Sequence, residues 1–184
     1  MVNSNIQDCI KRVKAGDFRA FSYIVSEYRQ MVFTIVFKII NNREDAEDVT
    51  QEIFIKVFKS LYSFKEESEL STWLYRIAYN TTLSEIRKRK IVFASFDNDF
   101  SNLKEEEIDD NTEDTTTEER ILHLEQALKT LPPEDAFLIT MFYLENQSIE
   151  EIGKISNLSQ ANVKVRLHRI RKKLAVKINK LRTE

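Results

Sequence analysis

Glycine and proline are almost missing, each occurring twice in 184 residues. Sandwiches, barrels and Gly-rich nucleotide folds use these residues in tight turns, so their scarcity points to an all-α protein and leaves no phosphate-cradling loop. Cysteine occurs once, as Cys9, which excludes an internal disulfide and a multi-thiolate metal site. The histidines, His123 and His168, mark no metal or catalytic cluster. The longest apolar run, Met31 to Ile40, is interrupted by Lys38 and is too short for a bilayer, and the N-terminus has no apolar export segment. These absences read as a soluble cytoplasmic protein that holds no cofactor and inserts in no membrane.

What is present is enough apolar material for a core, at 42% hydrophobic and 32% charged residues, with a length suited to one medium domain or two small ones. Charge is unevenly placed. Residues 1–90 carry a net +3, residues 91–119 a net −10 and residues 120–184 a net +5, which together give the overall −2. Two mildly basic blocks separated by an acidic stretch predict two small helical domains, 1–90 and 117–184, joined by a flexible acidic linker over 91–116. Fully extended, 26 such residues reach ~85 Å, so the two domains can address separate sites on one DNA.

Helix punctuation is legible in both blocks. Asn3 or Ser4 is predicted to cap a first helix that Gly16 closes, and Asp17 a second that runs to about Ile40. Asn41 and Asn42 make a turn into a third helix from Arg43 to about Tyr62. An exposed loop then follows to Ser71, where Ser71 or Thr72 can cap a fourth helix to about Lys90. In the second block Thr116-x-x-Glu119 and Ser148-x-x-Glu151 are capping boxes, and Pro133 suits a helix start. Ile121, Leu124, Leu128 and Leu131 mark an apolar face, and Asn157 a turn before a long last helix capped by Ser159.

Three clusters carry chemistry. The segment SIEEIGKISNLSQANVKVRLHR has the layout of a helix-turn-helix. In its second helix Val163, Leu167, Ile170, Leu174, Ile178 and Leu181 fall within about 60° of one line, a buried stripe. The opposite side presents Gln160, Ala161, Asn162, Lys164, Val165, Arg166, His168, Arg169 and Lys172, with no acid to repel phosphate, as a helix entering a DNA groove requires. The second cluster, EDAEDVTQE, sets Asp45, Asp48 and Glu52 on one helical face beside Gln51 and Phe54. It reads as a protein-docking face, as a carboxylate metal site of a nuclease, or as a solvated surface. The third runs from Tyr62 to Lys90, where Arg76, Asn80, Leu83 and Arg87 fall on one helical line with Trp73 at its edge and the cations Arg87 to Lys90 beyond, aromatic, amide and basic groups suited to unstacked bases.

DAEDVTQEIFIKVFKSLYSF, STWLYRIAYN and SIEEIGKISNLSQANVKVRLHRIRKKL, in that order, resemble bacterial sigma factors of the extracytoplasmic-function (ECF) group of the sigma-70 family. The resemblance implies a non-enzymatic RNA polymerase subunit that directs transcription initiation. Residues up to about 90 become sigma domain two and those from about 117 sigma domain four. It assigns Asp45, Asp48, Gln51, Glu52 and Phe54 to docking on the clamp helices of core RNA polymerase, and the helix Pro133 to Leu144 to the flap tip. Lys56, Phe64, Trp73, Arg76, Asn80 and Arg87 are assigned to the melted minus-ten element, and the last helix to the double-stranded minus-thirty-five element. An anti-sigma factor is the further partner implied, and the place of work is the bacterial cytoplasm, at the nucleoid when in holoenzyme. Two departures stand out. Val165 replaces a residue that is often polar in relatives, which suits a thymine methyl, and Gly153 stands where Ala is common. The competing readings are a stand-alone helix-turn-helix regulator, which needs a dimer face, and the metal-dependent nuclease.

Overall fold

The apolar periods become helices and nothing else. In the computed structural model, which describes residues 2–93 and 116–183, the order is α1 (Val2–Lys14), α2 (Arg19–Ile40), α3 (Arg43–Ser60), a 3-10 turn (Leu61–Ser63), α4 (Leu70–Phe93), α5 (Thr117–Lys129), α6 (Pro133–Tyr143), α7 (Ile149–Ser156) and α8 (Gln160–Thr183). Among the described residues there is no strand, and no helix is long and apolar enough to cross a membrane. The chain divides into two compact units, Met1–Ile86 and Arg87–Glu184. The predicted acidic linker lies, from residue 94 to 115, outside the described residues.

In the first unit, backbone geometry makes the corners. Gly16, at φ 95°, takes the left-handed conformation that side chains disfavour. Asp17 then accepts the Arg19 N–H at 3.1 Å and the Arg12 guanidinium at 2.7 Å, so one carboxylate joins α1 to the start of α2. The hydrogen bond from Arg12 leads in holding that carboxyl below its usual range. Asn41, at φ 57°, ends α2, and the Asn42 side chain accepts the Asp45 N–H to start α3. α1 already includes Val2, ahead of the Asn3 or Ser4 start. Ile10, Val13, Ile24, Val36, Ile53, Val57, Leu61 and Leu74 close a core to which all four helices contribute, with Cys9 buried at its α1 edge.

The segment after α3 differs from the predicted exposed loop. α4 begins at Leu70, with the Trp73 N–H bonded to the Glu69 carbonyl, so Ser71 and Thr72 lie inside the helix and are not its cap. Phe64 and Leu70 are 5% exposed, and Lys14 Nζ donates to the Phe64 carbonyl at 2.7 Å. Two apolar side chains flanking a charged run have been drawn into the core, each worth about 1.5–3 kcal/mol in burial.

The second unit is defined by its caps. Thr116 and Glu119 exchange both capping-box hydrogen bonds, as do Ser148 and Glu151. α6 starts on Pro133 and is buried from Asp135 to Met141. Asn157, at φ 58°, turns α7 toward α8, where Ser159 Oγ accepts the Asn162 N–H at 3.2 Å. Val163, Leu167, Ile170 and Leu174 are buried as their stripe requires, whereas Ile178 and Leu181 are only half-buried. The predicted apolar face of α5 is a correction: Ile121 and Leu124 are exposed, and Ala127 is the residue this helix buries.

Gly153 has a packing reason. A Cβ there stands 2.7 Å from the Leu158 carbonyl oxygen, a backbone atom held in the turn by the Leu158 N–H to Gly153 carbonyl bond. Alanine favours a helix over glycine by about 1 kcal/mol, while overpacking costs typically ~1–3 kcal/mol. Gly153→Ala is therefore expected to destabilise the second unit despite its better propensity. Urea unfolding followed by circular dichroism checks this, an unchanged or raised midpoint being the contrary result.

Candidate nucleic-acid and protein-binding surfaces

α8 buries one side against α6 and α7 and so must present the other. Gln160, Ala161, Asn162, Lys164, Val165, His168, Arg169 and Lys172 are all exposed. They span ~18 Å of helix axis at 1.5 Å per residue, comparable with the ~12 Å width of a major groove. Amides sit at the N-terminal end, Val165 in the middle, and Lys164, Arg169 and Lys172 beside them. Donors for base edges and cations for phosphates are thus distributed as a groove-reading helix needs.

Arg166 departs from the sequence reading. It is half-buried, and its Nη2 donates to Asp135 Oδ1 on α6 at 2.6 Å, so its guanidinium is engaged within the domain and turned from the reading face. Arg171 is likewise occupied, with its Nε bonded to the Tyr143 hydroxyl at 2.7 Å and its guanidinium over the Phe142 and Tyr143 rings.

On α3, Asp48 and Gln51 are exposed and Asp45 and Glu52 half-exposed. Phe54 is a correction: at 7% exposure it belongs to the core and offers no surface anchor. With Asp48 set at 0° and 100° per residue, Phe54 falls at about 240°, Ile55 at about 340° and Glu52 at about 40°. Ile55, 47% exposed, is therefore the apolar centre of the acidic face. The sequence reading missed it, although that same angular count finds it. Among the described residues no three His, Cys, Asp or Glu side chains come together as metal ligands, so Asp45, Asp48 and Glu52 share a face without converging.

The α4 cluster is split. Arg76, Asn80 and Arg87 are exposed and Trp73 is half-buried. Lys56 Nζ lies between Glu52 Oε1 at 2.7 Å and Thr81 Oγ1 at 3.5 Å, tying α3 to α4. Phe64 is a second correction. Buried, with its ring centroid 4.9 Å from that of Trp73, it supports the indole from behind and is not itself a stacking surface. Phe64→Ala is expected to cost about 3–5 kcal/mol by leaving a cavity under Trp73. Trp73 is the single tryptophan, so its fluorescence during urea unfolding measures the loss directly.

Comparisons with known proteins agree with this geometry. The family model for sigma-70 region 2 matches residues 24–91, covering α2 to α4, and that for sigma-70 region 4 matches residues 121–174, covering α5 to the reading part of α8. The ECF RNA polymerase sigma factor SigW of Bacillus subtilis is 32% identical over 96% of this chain and 98% of its own length. The ECF RNA polymerase sigma-E factor of Haemophilus influenzae is 31% identical over 95% and 96%. Two solved structures share the fold: the sigma factor RpoE of Bartonella quintana, in complex with the anti-sigma factor NepR, has a TM-score of 0.67 at 20% identity, covering 86% of this chain and 96% of its own. CnrH, in complex with the cytosolic domain of CnrY, has a TM-score of 0.67 at 18% identity, covering 95% and 97%. Two sigma regions in the family's order, on a chain related to SigW over nearly its whole length, make this protein a member of the ECF group of sigma-70 factors, the RNA polymerase subunits that direct transcription initiation.

Proposed function

We propose a division of labour between the two units. The first docks on the clamp helices of core RNA polymerase through α3, with Asp45, Asp48, Gln51 and Glu52 facing cations of the partner and Ile55 supplying the apolar contact. Lys56, Trp73, Arg76 and Asn80 of the same unit, with Arg87 further along α4, hold the melted minus-ten element. Flipping a base costs a few kcal/mol, which stacking and hydrogen bonds to the base edge must offset. The second unit reads the double-stranded minus-thirty-five element with Gln160, Ala161, Asn162, Lys164, Val165, His168, Arg169 and Lys172. Tyr143 and Leu144, exposed where the buried α6 ends, are its contact for the flap tip.

The protein has no active site of its own: phosphodiester chemistry belongs to the polymerase, in the bacterial cytoplasm. RpoE and CnrH are both seen with a bound protein partner, and an anti-sigma protein is proposed for this chain as well. The observation that carries the reading is the presence in one chain of an acid-free exposed face on α8, between Gln160 and Lys172, and of a separate acidic face on α3. A stand-alone regulator has no use for the second face.

The test is transcription by sigma-free bacterial core polymerase on fragmented genomic DNA with this protein added, mapping transcript 5′ ends. New starts that share two upstream elements are expected. No new starts, with folded protein and a core that responds to another sigma factor, would overturn the reading. Asp48→Lys is expected to weaken core binding by tenfold or more, as about 1.4 kcal/mol corresponds to a factor of ten, read by competition with another sigma factor. Val165→Ser is expected to relax preference for thymine at one position of the minus-thirty-five element, leaving the others unchanged, in binding to single-base variants of the promoter.

A further inference from the structure

Asp135 is a carboxylate at 8% exposure, on a helix whose next residues Ala136, Phe137 and Leu138 are buried apolar groups. A charge in such a place persists only with a partner. Both of its partners come from α8: Arg166 Nη2 at 2.6 Å from Oδ1, and Lys173 Nζ at 3.9 Å from Oδ2. Seven residues apart, they lie two turns from each other on nearly one line, so the carboxylate is gripped from above and below along the axis of α8. Arg166 makes the short hydrogen bond, while Lys173, with its side chain 54% exposed, adds a longer and better screened attraction.

Besides this pair, α8 packs through Val163, Leu167, Ile170 and Leu174, whose apolar contact is non-directional, and through the exposed Arg171 to Tyr143 hydrogen bond, five residues further toward its C-terminus than Arg166. Such a stripe tolerates small rotation or sliding of the helix, whereas a hydrogen-bonded ion pair fixes both angle and height. Arg166 is next to Val165, at the middle of the reading face. A few degrees of rotation at this position displaces every side chain that must meet a base edge.

We propose that Asp135 and Arg166 are a positioning pair that sets how α8 is presented to the minus-thirty-five element, and that Arg166 contributes no phosphate contact. This rests on the proposed reading role of α8. Besides the side chains that meet the bases, specificity then depends on two residues, 31 positions apart, neither of which touches DNA.

The test replaces the pair as a whole, Asp135→Leu with Arg166→Met, because a buried ion pair exchanged for apolar groups often leaves stability intact. Holoenzyme carrying the double variant is assayed on a promoter with cognate or singly substituted minus-thirty-five elements, across a range of salt. The expected result is an unchanged unfolding midpoint, an unchanged slope of log affinity against log salt, and discrimination among minus-thirty-five sequences reduced by about fivefold or more. A slope smaller by about 0.9 would make Arg166 a phosphate contact and overturn the proposal. A lowered midpoint with full discrimination would also overturn it, by making the pair merely structural. Should the double variant not fold, Asp135→Asn, which keeps the shape and removes the charge, is expected to lose discrimination in the same assay, and full discrimination there is again the contrary result. A wild-type holoenzyme indifferent to the minus-thirty-five sequence would instead refute the reading role of α8, a distinct failure.

Discussion

Burial of one stripe decides what the rest of a helix can do, and in this protein the working surfaces are what burial leaves over. Val163, Leu167, Ile170 and Leu174 turn inward, so the amides and cations of α8 turn outward. On α3, Val49, Ile53 and Val57 turn inward, and the carboxylates with Ile55 are left to solvent. Neither surface is built from loops. Each is held by a packed core, which gives a recognition surface its rigidity. The segment after α3 follows the same logic: Phe64 is fixed beneath Trp73 and its carbonyl is held by Lys14, so the indole is carried on a supported platform.

The two surfaces have opposite charge and sit on different units. An acidic face on α3 and an acid-free basic face on α8 are suited to a basic protein surface and to DNA respectively. The overall charge of −2 conceals this, and so does the net +3 of residues 1–90, the block that contains the acidic face of α3.

What was legible in the sequence was local. The capping boxes at Thr116 and Ser148 and the left-handed Asn41 and Asn157 follow from hydrogen bonds and backbone preferences that span a few residues, and they appear where the letters place them. The buried stripe of α8 was legible because its period holds over several turns. Ile53, Phe54 and Ile55 form an unbroken apolar run in which composition does not tell inside from outside; Phe54 goes in and Ile55 stays out, as an angular count from Asp48 finds. What failed beyond that was tertiary. Phe64 stands among charged residues that suggest a loop, yet a core nearby accepts it. Arg166 has the composition of its basic neighbours, and its partner on α6 lies 31 residues away, beyond any local pattern. α5 shows the reverse case, with an apolar period that does not end in burial.

Cys9 occupies the inner side of α1 at 7% exposure, and it is the only thiol in the chain. Packed in this way the sulfur offers a thiol-reactive reagent little surface, and lifting of α1 from the core exposes it fully, so the rise in its reaction rate is a chemical clock for the opening of the first unit. Alkylation rates at increasing denaturant separate fraying of one helix from unfolding of the whole unit, with no label or substitution introduced. The second unit has no cysteine and is silent in that measurement, so the opening of one unit can be timed in the intact chain.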